Sequence, residues 1–143
     1  MSTIPQKTRT ETLADDSRLI VVTRRVAVGL ALACLAAIHI LDIPGKLAET
    51  PYIAGMYLAL IVVAFVLMER LFVIGTRWDF VAAAALSTSV ILGFIINRTV
   101  GMPGAMDDIG NWLEPLGLLS LVVETFIVWQ SIAAVVGMTR TSR

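Results

Sequence analysis

A single cysteine and a single histidine leave little for metal or redox chemistry within one chain. Cys34 has no second thiol, so an internal disulfide, a CxxC motif and a thiolate metal cage are all excluded. His39 alone rules out haem held by two histidines of one chain, and any zinc site needing several. Charge is also scarce: charged residues are 15% of the 143, against roughly 25% in soluble domains. Lys and Arg balance Asp and Glu at eleven each, so the chain lacks the basic surface that binding nucleic acid requires. No GxSxG, P-loop or HExxH is present, and "MDDIGN" lacks the ligand spacing of an EF-hand. No catalytic set is visible, and the chain reads more readily as a non-enzyme. No cofactor is assigned from the sequence.

What the chain has is apolar length. Hydrophobic residues are 57% and mean hydropathy is +0.85. Uncharged runs cover 26–41, 51–68 and 80–97, and a fourth over 115–139 is broken only by Glu124. A bilayer-crossing helix needs about 20 apolar residues, with roughly 17 enough at the short end. The first run is slightly short, but Arg24 and Arg25 can snorkel at its end. The expected fold is all-α: a polytopic, four-transmembrane-helix bundle in one domain over 21–143. Its spans fall at about 24–41, 51–69, 80–98 and 115–139, behind a polar cytoplasmic tail over 1–20. "TRRVAVGLALAC" imitates a twin-arginine or lipoprotein signal, but three further spans follow it, which favours a retained helix.

Nine basic residues fall on one side if the helices alternate: Lys7, Arg9, Arg18, Arg24, Arg25, Arg70, Arg77, Arg140 and Arg143. Only Lys46 and Arg98 fall on the other. The positive-inside rule then predicts a multi-pass protein of the cell membrane with both termini cytoplasmic. Glu69 and Arg70 read as an interface pair on the inner side.

The two outer connections resemble each other. "DIPGKLAETP" and "GMPGAMDDIGNWLEP" each carry Pro-Gly, and each ends with Glu shortly before a Pro that opens the next span. Pro-Gly suits the centre of a type II turn, and Pro51 and Pro115 suit a first helical turn. Two similar helical hairpins are the expectation. Small residues at Gly29, Ala33 and Ala37, at 82–85, and at Gly117, Ser120 and Ser131 point to close helix packing.

The costly residues are few. Glu124 lies nine residues past Pro115, about 14 Å into a core roughly 30 Å thick. A carboxyl at that depth should face the bundle, find a partner, or hold a proton. Arg98 ends the third span on its outer side, with Asn97 adjacent. His39 and Asp42, three residues apart, share one helix face if the first helix continues. These four, Glu124, His39, Asp42 and Arg98, are the candidate proton or polar site. The outer loop adds Met102, Met106, Asp107, Asp108, Trp112 and Glu114. Thioethers with one imidazole could hold Cu(I), although no second histidine supports them.

Three functions are compatible with this pattern. The first is a non-catalytic accessory or assembly subunit of a membrane complex, with other subunits or copies of itself as partners. The second is a proton-linked carrier or channel using Glu124. The third is extracytoplasmic metal or redox handling at His39 with the outer Met and Asp residues. In all three the lipid bilayer is the surrounding partner, and nucleic acid is not.

Overall fold

The structure, a computed structural model, describes residues 6–141. The side chains of Lys7, Arg9, Arg140 and Arg143, counted above for orientation, lie outside what is described. The described chain is all-helical: α1 (Gln6–Glu49), α2 (Pro51–Val73), α3 (Arg77–Thr99) and α4 (Pro115–Thr141), with a short 3-10 turn at Met106–Asp108. Four helices are long and apolar enough to cross a membrane. Below, the end of the bundle carrying the α1–α2 junction and the α3–α4 loop is its upper end.

Consecutive helices pair as hairpins. α1 packs along α2, and α3 along α4; α1 also packs on α4, while α2 and α3 scarcely meet. The buried face of α1 runs through Val28, Leu32, Leu35 and His39, and that of α4 through Ser120, Glu124, Ile127, Ser131 and Ala134. Both follow the three- and four-residue spacing of one helix face. Of the expected small-residue stripe on α1, only Gly29 is buried, and Ala37 faces outward. The ring of Phe72 stands where a Cβ at Gly29 would be, so glycine allows α2 to approach there.

The connection between α2 and α3 is three residues long, Ile74 to Thr76. Gly75 takes φ +66 beside the guanidinium of Arg25. Arg25 donates to the Leu71 and Phe72 carbonyls at 2.7 and 2.9 Å, satisfying acceptors that the end of α2 leaves open. Asp79 accepts from the Thr76 N–H at 2.8 Å, starting α3. The salt-bridge partner of Arg70 is this Asp79, at 2.6 Å, and not its neighbour Glu69.

The upper connections depart from the expected symmetry. Pro103-Gly104 makes the turn: Ala105 N–H bonds Met102 O at 2.9 Å, and Gly104 has φ +78. Pro44-Gly45 does not turn. α1 continues through Pro44 to Glu49, and only Thr50 separates it from α2. The expected end of the first span near residue 41 is therefore eight residues short of the end of α1. Pro51 and Pro115 open α2 and α4, where a missing N–H costs nothing.

Candidate functional site

The extension of α1 resets the depth of His39. It lies ten residues below Glu49, about 15 Å, and Glu124 lies nine below Pro115, about 14 Å. The two stand at similar levels, so His39 is an interior residue and not one at the mouth of the bundle. Its side chain is buried, with Nδ1 at 2.9 Å from Leu35 O. Donation to that carbonyl places the proton on Nδ1 and leaves Nε2 as an acceptor. The ring meets Tyr57 edge-on, with centroids 4.7 Å apart.

A cavity of about 430 Å³ occupies the upper part of the bundle. Glu124, His39, Asp42 and Arg98 all line it, as do Glu114 and Met102. Glu124 is 1% exposed. Its Oε1 accepts from the Ser120 hydroxyl at 2.6 Å, while Oε2 is buried without a partner. A buried carboxyl oxygen that makes no hydrogen bond is costly. Such a carboxyl on a residue that lines a cavity calls for a functional reading. The hydroxyls of Ser87 and Ser131 are likewise buried without partners among the described residues.

The upper end is closed by a network centred on Asp108. Arg98 Nη1 pairs with Asp108 at 2.7 Å, Lys46 Nζ with the same carboxylate at 3.2 Å, and Asn97 donates to it at 2.9 Å. Arg98 also pairs with Glu114, and its guanidinium lies over the Phe94 ring at 5.1 Å. Arg98 is 3% exposed and Lys46 8%. Thus the two basic residues expected on the outer side both meet one loop carboxylate. Burial pushes the Asp108 carboxyl up, but hydrogen bonds from Asn97 and Arg98 and the charge of Lys46 outweigh it and hold it below its ordinary value of 3.8. The Tyr52 hydroxyl donates to Pro103 O at 2.8 Å, tying the loop to the start of α2.

The remaining loop candidates stand apart from the cavity. Met106 and Asp107 are exposed, and Trp112 is half-exposed, edge-on to Phe94 at 6.0 Å. Of the three methionines Met56, Met102 and Met106, the first two line the cavity with His39 and Met106 does not. Among the described residues no three of His, Cys, Asp and Glu cluster as a metal site. Sequence reasoning passed over Tyr57 and used Lys46 only for counting charge. A hydroxyl inside an apolar run was the available signal for Tyr57; for Lys46 there was none, because its partner is 62 residues away.

Compared with known proteins, the chain matches no family model, and no curated protein or solved structure is similar to it. The fold and this cavity define the class: a small multi-pass helical membrane protein with a largely apolar cavity that holds a few polar groups.

Proposed function

We propose that the protein is a proton-linked membrane carrier, which binds a small molecule in this cavity and gains or loses a proton at Glu124. One observation carries the reading: Glu124, which lines a cavity of about 430 Å³, has one carboxyl oxygen buried without a partner among the described residues. That volume is within the range of roughly 300–1,000 Å³ typical of small-molecule sites. The packing below Glu124 supports a carrier over a channel. Leu32, Leu71, Phe80, Ala83 and Ile127 are buried together in an apolar core there, which suits a carrier better than an open pore. The basic-residue asymmetry supports a cell-membrane protein with cytoplasmic termini and the cavity in the extracytoplasmic half.

The test is flux in proteoliposomes loaded with a pH-sensitive dye and a small-molecule extract. The parent protein should dissipate an imposed pH gradient faster than protein-free vesicles. Glu124→Gln should return the rate to the protein-free level while its circular dichroism stays unchanged. A parent rate equal to that of empty vesicles would sink the reading.

The accessory-subunit reading retains one supporting observation. Val100, Met106, Ile109 and Leu113 expose apolar surface on the α3–α4 connection, outside the spans, with Leu113 at 81%. Such a patch suits a partner subunit. Native mass spectrometry of a gentle detergent extract should then find a stoichiometric partner, and a lone monomer would remove this alternative.

A further inference from the structure

We infer that the cavity takes a lipophilic organic cation, which enters sideways from the bilayer between α2 and α3 and exchanges with a proton on Glu124. The inference rests on the carrier reading and names its substrate class.

The charge of the site sets the sign of the ligand. The titratable groups around it are His39, Asp42 and Lys46 on α1, Tyr57 on α2, Arg98 on α3 and Glu114 ahead of α4. Lys46 and Arg98 are already matched, by Asp108 and Glu114. Asp42 and Glu124 make no ion pair among the described residues. An anion entering here finds no cation to spare, whereas a cation finds two carboxyls.

The walls set the kind of cation. Leu60, Val63, Leu86, Val90 and Phe94 surround the polar groups with apolar surface. A bare metal ion or a small ammonium needs several oxygen ligands to replace its water, and among the described residues no three of His, Cys, Asp and Glu gather to supply them. An ion whose charge is spread over an aromatic or aliphatic body loses little hydration and gains contact with those walls.

The route follows from the open seam. α2 and α3 scarcely pack on each other. Met56, Ala59 and Val63 on α2 and Ser89 on α3 line the cavity yet are exposed, whereas Ser120 and Glu124 opposite are buried. The opening therefore lies at this seam, on the lipid-facing side of the spans. The upper end is meanwhile covered by Arg98, Lys46, Asp108 and Glu114. An amphiphilic cation concentrates in the bilayer and meets the seam there.

Exchange takes place at Glu124, the buried carboxyl of the two; Asp42 is part-exposed. Glu124 holds a proton or neutralises the cation, not both at once. Entry of the cation breaks the Glu124 O–H bond, and the proton leaves to water by way of Asp42, which lines the cavity and is part-exposed. Return of the proton discharges the cation. Charge in the cavity is the same before and after.

The experiment uses tetraphenylphosphonium as probe, with the purified full-length protein in detergent. Calorimetry in two buffers of different ionisation enthalpy counts protons. The parent should bind it and release about one proton per cation bound, with affinity weakening up to about tenfold per pH unit as the medium is acidified. Tetraphenylborate, of the same shape and opposite charge, should not bind. Gly93 lines the cavity with nothing within 4 Å of where a Cβ would stand. Gly93→Leu should therefore fill the site, weaken binding about tenfold or more and leave thermal melting unimpaired. Glu124→Gln should abolish proton release. Equal binding of tetraphenylborate, equal binding by Gly93→Leu, binding without proton release, or no binding by the parent would each overturn the inference. Protein-dependent proton flux without cation binding would remove the cation and leave the carrier reading standing.

Discussion

Pro44-Gly45 and Pro103-Gly104 occupy the same end of the bundle, and one dipeptide is helical where the other turns. Proline inside a helix loses a hydrogen bond and crowds the carbonyl four residues back, so the first pair is held against its local preference. The burial of Lys46 supplies the reason. Continuing α1 places Lys46 against Asp108 at 3.2 Å and within 3.7 Å of Glu49, and buries Thr50 at the junction. The second pair has no such demand. Its turn sends the chain back over α3, so that Gly110 N–H reaches Arg98 O at 2.9 Å and Asp108 reaches Arg98. One junction is a strut and the other a roof, and each depends on the ion pairs between them.

That contrast can be broken most strongly at Arg98. Replacing it by Leu leaves Asp108 and Glu114 without their main partner and should lower stability by about 3–5 kcal/mol, the range for removing one member of a buried pair. Thermal melting in detergent would show it, and a loss under about 1 kcal/mol would mean the roof contributes little.

A smaller effect is expected from acid. The folded pKa of Asp108 is depressed, so its contribution is complete above the ordinary 3.8 and is lost as pH falls through the lower folded value. Melting temperature should hold steady from neutral pH to about pH 5 and drop below about pH 4. Asp108→Asn should begin lower and show a flatter acid limb. An acid limb identical to the parent's would take Asp108 out of the account.

The finest test uses the glycines themselves. Gly45 is helical with open space around its missing Cβ, so Gly45→Ala should stabilise by about 0.5–1 kcal/mol. Gly104 sits at φ +78, so Gly104→Ala should destabilise by about 1 kcal/mol. Shifts of the same sign would show that the two junctions do not differ as described.

Much of this could be read in advance. Apolar run length reveals the four helices because a bilayer rewards only spans of that length. Pro51 and Pro115 mark two helix starts, and the depth of Glu124 follows from counting residues after Pro115. The depth of His39 was not legible, because a Pro-Gly pair signals a turn only where nothing distant opposes it. The grouping of His39, Asp42, Arg98 and Glu124 around one cavity was not legible either, since helix rotation depends on neighbours and not on the helix itself. The weak hydrophobic contrast around lipid-facing helices leaves that rotation open, because lipid accepts an apolar face as readily as another helix does.

By itself, then, the sequence determined how many helices there are and which few polar residues lie inside them, because both are settled by transfer between water and lipid along the chain. Tertiary structure alone decided that α1 runs on to Glu49, that Lys46 and Arg98 share Asp108, and that Glu124 lines a cavity with one carboxyl oxygen left unpartnered among the described residues. Those depend on contacts between residues tens of positions apart, and no local preference encodes them.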